Sequence, residues 1–285
     1  MTSHRLALAL ETALGSPVAS LQAVSGGDIN QAYEVQLKDG RLVFAKSNGD
    51  APATMFETEA RGLAWLGQAN ALRVPAVILH TADFLVLEHI RSGPRRPDFD
   101  EMFGRGLASL HRAGAASFGL DHDNFIGRLP QANAPLASWA DFYRVRRLQP
   151  QLQLAIDEGH TSPAMRRGFD RLLERLEDLV GPPEAPARLH GDLWGGNAMV
   201  DERGWPCIID PAVYGGHHEV DLAMMRLFGG FAPRVFSAYH EAFPLAPGHQ
   251  ERVPLYQLYY LMVHVNLFGG SYVASVEQAL ARVCS

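Results

Sequence analysis

The stretch His190-Gly191-Asp192-Leu193-Trp194-Gly195-Gly196-Asn197, followed by a short apolar hairpin pattern that ends in Ile208-Ile209-Asp210-Pro211, constrains this chain more than any other feature. An Asp, an Asn five residues later (197 − 192) and a second Asp thirteen beyond it (210 − 197) put a proton acceptor and two oxygen donors on one unit. Phosphoryl transfer from ATP needs those parts: a carboxylate to orient and deprotonate the acceptor hydroxyl, and oxygen ligands that hold magnesium against the phosphates. Singly, each piece has a plainer reading. His-Gly-Asp is a turn, Asn197 a cap, and Asp210 before Pro211 a strand end. Their spacing, with what lies upstream, favours the chemistry.

Of 25 Lys plus Arg, only Lys38 and Lys46 are lysine, which leaves 23 arginines (25 − 2). Lys38 lies in the turn signal Lys38-Asp39-Gly40, whereas Lys46 closes the apolar strand pattern Leu42-Val43-Phe44-Ala45. An unpaired charge there is costly. Met55, Glu59, Gly62 and Leu66 recur at spacings of 4, 3 and 4 and share one helix face, so Glu59 points inward. Lys46 gripping the α- and β-phosphates with Glu59 holding its ammonium is one reading, and a lysine snorkelling to water is the other. Lysine scarcity favours the first. Gly26-Gly27 connects two strands, where backbone amides can approach phosphates, although alone it is a hairpin turn. Glu88, His89 and Ile90 end a strand where a hinge backbone would meet adenine; plain sheet packing weighs equally. The Asp192-to-Asn197 interval is also that of the kinase loop H-R-D-L-x-x-x-N, with Gly191 in place of its Arg.

The chain has two textures. Strands are expected over 19–24, 32–37 and 41–46, the last two joined at Asp39-Gly40, then a helix from about Pro52 and strands over 77–80 and 84–90. Ser92-Gly93-Pro94-Arg95-Arg96-Pro97 then breaks all periodicity, and the lobe boundary is placed there, dividing 1–92 from 93–285. Downstream, helices are expected over 99–112, 139–156, 165–180, 221–228, 235–243, 255–268 and 272–282, interrupted by the hairpin at 198–209. This reads as an α+β, bilobal fold. A small antiparallel-sheet lobe with one helix covers the nucleotide, and a larger, mainly helical lobe carries catalysis and substrate.

Composition narrows the function. With 47% hydrophobic and 20% charged residues the chain is neither disordered nor fibrous. The balance of 25 − 31 = −6, with no block of like charge, excludes the broad basic field that nucleic acid needs. Two distant cysteines, Cys207 and Cys284, form neither a disulfide scaffold nor a zinc site, which fits a reducing, cytoplasmic location. The apolar run Leu6 to Leu10 is broken by Glu11 and is too short for a signal-peptide core. The uncharged stretch 256–276 contains Gln257, His264, Asn266, Gly269, Gly270 and Ser271, and is expected as a buried helix of a soluble protein, not a membrane span. No H-E-x-x-H, no Gly-Lys of a Walker A loop and no complete nucleophile elbow is present. Asp210-Pro211-Ala212 replaces D-F-G and no A-P-E follows, which argues against a protein kinase.

The segments His190 to Asn197, Ile209-Asp210-Pro211, Tyr214-Gly215-Gly216-His217-His218-Glu219-Val220-Asp221 and Met55-Phe56-Glu57-Thr58-Glu59-Ala60-Arg61-Gly62-Leu63 resemble the fructosamine kinase (ketosamine-3-kinase) family, within the aminoglycoside-phosphotransferase-like group. The resemblance runs from about Gly26 to Tyr272 and includes Asp123-Asn124-Phe125-Ile126-Gly127 and Pro130-Gln131. It implies a bilobal, protein-kinase-like fold and ATP- and Mg²⁺-dependent phosphorylation of the sugar 3-hydroxyl of ketoamines (ribulosamine, erythrulosamine or fructosamine adducts), free or on glycated protein amines. The phosphorylated adduct then decomposes and frees the amine. By the same resemblance Asp192 is the general base, Asn197 and Asp210 are the magnesium ligands, Lys46 and Glu59 position phosphate, and Asp221 supports the catalytic loop from within.

Trp194 either walls the sugar site or packs in the core, and His217 resembles a position near the acceptor. His264 and Asn266 either reach the same pocket or form a satisfied core pair, the second being favoured. Trp194, Gly195, Gly196, Tyr214, His217 and His218, with Glu219 as the free carboxylate, suit one sugar chain and at most one amine. The rival readings are an aminoglycoside- or choline-like phosphotransferase and a nucleotide-binding pseudokinase. The complete Lys46, Glu59, Asp192, Asn197, Asp210 set argues against the latter.

Overall fold

The computed structural model describes residues 2–24 and 30–284. It begins with a helix that the sequence reading passed over, α1 (Ser3–Leu14), capped by Thr2, whose hydroxyl accepts the Arg5 N–H, and ended by Gly15 at φ +67°. Leu6, Leu10 and Leu14, four residues apart, form its one buried stripe.

Strands β1 (Val18–Val24), β2 (Gln31–Leu37) and β3 (Leu42–Ser47) follow, then α2 (Met55–Gly67), β4 (Val77–His80) and β5 (Phe84–Glu88). They form one antiparallel sheet in the order β1-β2-β3-β5-β4. Side chains alternate across a strand. Val43 and Ala45 therefore pack under α1 with Tyr33, Val35 and Val86, while Phe44 joins the α2 side with Phe56, Leu63 and Leu85. The same alternation sends Lys46 to the α2 side, where Glu59 waits one helix face away.

The rest is mainly helical: α3 (Phe99–Arg112), a hairpin of β6 (Asn124–Ile126) and β7 (Leu129–Gln131), α4 (Trp139–Phe142), α5 (Gln149–Asp157), α6 (Pro163–Glu174) and α7 (Leu176–Leu179). A wide π turn over Tyr143–Leu148 joins α4 to α5, so the expected helix over 139–156 is continuous but locally unwound. Then come β8 (Ala187–Leu189), the hairpin of β9 (Ala198–Val200) and β10 (Pro206–Ile208), β11 (Tyr214–Gly216) paired with β8, α8 (Glu219–Phe228), α9 (Pro233–Ala242), α10 (His249–Phe268) and α11 (Val273–Val283).

The uncharged stretch lies largely in α10, most of whose residues from Leu255 to Val265 are buried in the largest core cluster. Gly269, at φ +84°, ends it. Among the described residues no helix is long and apolar enough to cross a membrane. The sheet-rich and helical halves are tied by Arg73, whose guanidinium donates to Glu88 (2.7 Å), Asp201 (2.6 Å) and Glu202 (3.0 Å).

Candidate active site

The loop after β8 is built on a buried carboxylate. Asp221, in the first turn of α8, accepts the N–H groups of His190 (2.8 Å) and Gly191 (2.9 Å) and meets His111 Nε2 at 3.1 Å. His111 Nδ1 in turn lies 2.7 Å from the Tyr239 hydroxyl. Burial alone would raise the Asp221 pKa, yet His111 and the backbone donors hold it below the ordinary carboxylate value. Gly191 is obligatory: its φ is +81°, and a Cβ there would sit 2.0 Å from the Ala212 carbonyl oxygen. That contact explains why this loop has no counterpart to the kinase arginine. His190 donates through Nε2 to the Ile209 carbonyl (2.9 Å) and accepts the Asp192 N–H at Nδ1 (3.2 Å), which couples the loop to the strand end before Asp210.

Asn197 closes the loop, its Nδ2 donating to the Asp192 carbonyl (2.8 Å) and carboxylate (3.2 Å). Burial first, and nearby Asp210 second, push Asp192 up to about 7, with the Asn197 donor pulling the other way. Asp210 itself occupies the left-handed region at φ +54°, unusual outside glycine but tolerated by Asp and often found at functional sites. Lys46 Nζ donates to both Glu59 (2.7 Å) and Asp210 (2.5 Å). Burial alone would lower the lysine pKa, but the two carboxylates outweigh it and hold it above the ordinary value. Lys46, Glu59, Asp192, Asn197 and Asp210 thus face one cleft of about 1130 Å³ between the sheet and the helices. The Asn197 amide oxygen and Asp210 carboxylate are hard oxygen donors of the kind that suits a small divalent cation.

Glu88, His89 and Ile90 line the same cleft. The Glu88 carboxylate is engaged by Arg73 (2.7 Å) and the Ala76 N–H (3.1 Å), and His89 Nε2 lies 2.8 Å from Glu34. Gly26 and Gly27 lie outside the described residues. Trp194 is 41% exposed and lines the cleft, so the core-packing alternative falls away. Its indole lies against Gly196, where a Cβ would come within 2.3 Å of the ring.

The cleft wall differs from the sequence reading. His217 is only 2% exposed and does not line the cleft. Its ring stacks between His218 (4.9 Å) and Tyr256 (5.2 Å), and its Nδ1 accepts the Glu219 N–H (3.3 Å). Burial drives its pKa down to about 3. Tyr214 and His218 are buried as well, and Glu219 is held by two hydrogen bonds from Arg252 (2.8 and 2.5 Å). The physical reason is strand pairing: β11 is hydrogen-bonded to β8, and the residues that follow it, His217 to Asp221, are buried. The cleft wall comes instead from Phe228 of α8, His264 and Phe268 of α10, and Tyr272 beyond it.

His264 and Asn266 form no pair. His264 lines the cleft, donating through Nδ1 to the Tyr260 carbonyl (2.8 Å), while Asn266 donates to the Gln151 carbonyl (2.9 Å) and Oε1 (2.7 Å). Two residues apart on a helix, they point to roughly opposite sides. The spacing of four from His264 to Phe268 and again to Tyr272 was the available signal for this wall.

A cleft between an antiparallel sheet and a helical body, with one lysine on the sheet and a loop of carboxylates below it, is the layout of a small-molecule phosphotransferase of the protein-kinase-like group. An ADP-bound aminoglycoside phosphotransferase superposes with a TM-score of 0.68 over 99% of both chains, at 12% identity, which is a likeness of fold. The chain matches the fructosamine kinase family over residues 2–285 and belongs to it. It is 41% identical over 268 residues to a "Probable ketoamine kinase" of Synechocystis sp., covering 92% of this chain and 89% of that one. It is 37% identical over 266 residues to a "Protein-ribulosamine 3-kinase, chloroplastic" of Oryza sativa, covering 90% and 77%. A crystal structure of a "putative fructosamine-3-kinase" from Thermobifida fusca superposes with a TM-score of 0.91 at 39% identity, covering 99% of both chains.

Proposed function

We propose that this chain transfers the γ-phosphoryl group of ATP to the sugar 3-hydroxyl of ketoamines, a deglycation activity in which the phosphorylated adduct decomposes and releases the amine. The names of its relatives support the substrate class. The observation that carries the chemistry is the meeting of Lys46, Glu59, Asp192, Asn197 and Asp210, distant in sequence, on one cleft.

In this reading Asp192 orients the acceptor hydroxyl and takes its proton; a carboxylate poised near neutrality suits that task. Lys46, steadied by Glu59, grips the α- and β-phosphates, and the strand end Glu88-His89-Ile90 lies against the base of the nucleotide. Mg²⁺ held by Asn197 and Asp210 would neutralise the charge that gathers on the phosphate oxygens. Trp194 and His264 wall the sugar. The residues before Gly93 act as the nucleotide cover and those after Ser92 as the catalytic and substrate lobe, in a protein we place in the cytoplasm.

An aminoglycoside is a poorer fit. Each of its several ammonium groups needs a carboxylate or water. Among the described residues the acidic ones lining the cleft are Glu34, Glu59, Glu88, Asp192 and Asp210, and all but Asp192 already have cationic or imidazole partners. An ATP-consumption screen across ribulosamines, erythrulosamines, fructosamines and kanamycin-type compounds tests the proposal. Turnover of at least one ketoamine and none of the aminoglycosides is expected, and preferred turnover of an aminoglycoside would overturn it.

A further inference from the structure

Soluble proteins seldom group large exposed aromatic side chains without a ligand to cover them. Here Trp194 (41% exposed), Phe228 (37%) and Phe268 (50%) line one cleft. Behind them stands His264, whose ring centroid lies 4.5 Å from Phe228, 5.1 Å from Tyr272 and 5.4 Å from Phe268. A carbonyl oxygen can only accept, so the hydrogen bond to Tyr260 O fixes the imidazole proton on Nδ1 and leaves a lone pair on Nε2. Burial lowers the pKa of this ring, which keeps it neutral. The box therefore offers one hydrogen-bond acceptor framed by electron-rich ring faces.

Its position relative to the chemistry follows from α10. The Tyr260 hydroxyl donates to the Gly191 carbonyl (3.0 Å), next to Asp192. His264 is one turn further along the same face, so the box lies about 5–6 Å along the helix from that anchor. In a ketoamine the oxygen of the 3-hydroxyl is four bonds from the nitrogen on C1, about 5 Å when extended. Among the described residues lining the cleft, Lys46 is the only Lys or Arg; Arg128, just outside that lining, donates to the Leu267 carbonyl (3.1 Å).

We propose that His264, Phe228, Phe268 and Tyr272 form the subsite for the protonated secondary amine of the ketoamine, its N–H donating to His264 Nε2 and its charge resting on the ring faces. This rests on the ketoamine reading above and assigns it a specificity-determining cluster. A hydroxyl would satisfy Nε2 but gain nothing from the aromatic faces, whereas an ammonium uses both.

The test compares a ketoamine with its neutral ether counterpart, in which oxygen replaces the C1 N–H. The wild-type protein should favour the amine in kcat/KM by about 10- to 100-fold, the range of one hydrogen bond to a charged partner. In His264→Leu that ratio should fall below about 3-fold while KM for ATP holds. Phe268→Leu, at a half-exposed site, keeps apolar bulk without a ring face and should cut the ratio by about 3-fold. Calorimetry with a 3-deoxy ketoamine, which cannot be phosphorylated, should show binding weakened about 10-fold in His264→Leu. A wild-type protein that treats amine and ether alike, or variants that are folded by circular dichroism and keep the wild-type ratio, would overturn the subsite alone. Turnover of neither compound by the wild-type protein would overturn the ketoamine reading and the subsite with it.

Discussion

His217→Phe separates a core histidine from an acceptor-site one. The native ring is 2% exposed and its pKa is held down to about 3, whereas an unfolded histidine titrates at about 6.5. Below about pH 6.5 the unfolded chain therefore binds a proton that the folded chain refuses, and stability falls as pH falls. At about 1.36 kcal/mol per pH unit, cooling towards zero only at the folded pKa, the loss between pH 6.5 and 5 is about 2 kcal/mol for this side chain alone. For a chain of this size that is roughly 4–8 °C in Tm. His217→Phe keeps a ring in the stack of His218 and Tyr256, sacrifices the acceptor of the Glu219 N–H, and removes the titration. Differential scanning fluorimetry at about pH 7.5 and about pH 5 should show the wild-type Tm dropping by that much more than the variant's. KM for the ketoamine at pH 7.5 should stay within about 2-fold. An equal Tm drop in both proteins, or a KM raised about 10-fold in the variant, would refute the placement of His217 in the core.

Asp192→Asn should keep ATP binding by calorimetry while losing about two to four orders of magnitude in turnover, since it removes the proton acceptor; near-normal kcat would remove Asp192 from that role. Lys46→Arg should be strongly impaired, because the planar guanidinium cannot take the place of a compact ammonium held at 2.7 Å from Glu59 and 2.5 Å from Asp210; unchanged kinetics would reduce Lys46 to a charge without a task. Gly191→Ala should destabilise by about 2 kcal/mol or more in urea titration, from positive φ and the Ala212 carbonyl together. Trp194→Ala should raise KM for the ketoamine or lower kcat with KM for ATP nearly unchanged, and an effect confined to ATP would move the indole out of the sugar site.

Much of this was legible in sequence because it rests on local rules. Period-two and period-3.6 patterns located the sheet, α2 and α3, and the Met55, Glu59, Gly62, Leu66 stripe placed Glu59 opposite Lys46 without any knowledge of the fold. What escaped has physical causes. The stripe of α1 is three leucines long and reads as an isolated apolar run until a sheet is set beneath it. The hairpin of β6 and β7 has three residues per strand, too few for alternation to register. The direction of Tyr214 to Glu219 depends on β11 pairing with β8, a contact made across 25 residues for Tyr214 and Leu189 (214 − 189) and silent in local composition. His217 therefore looked like a cleft residue while Phe228, Phe268 and Tyr272, which the sequence reading did not single out, line the wall.

The apolar stretch within α10 joins these threads. A helix so deeply buried must satisfy most of the polar groups it carries. Tyr256 donates to the Val180 carbonyl (2.5 Å), Tyr259 to Gln131 Oε1 (2.6 Å) and Tyr260 to the Gly191 carbonyl (3.0 Å), while Asn266 bonds Gln151 (2.7 Å). Each bond fixes the rotation and height of the helix against a different neighbour, so a slip of one residue would strand several buried hydroxyls at once. The register that anchors Tyr260 to the Gly191 carbonyl is the same one that brings His264, a turn later, to the cleft wall. Tyr256, Tyr259, Tyr260 and Asn266 are, on this account, the residues that set the distance between the Asp192 loop and the aromatic box.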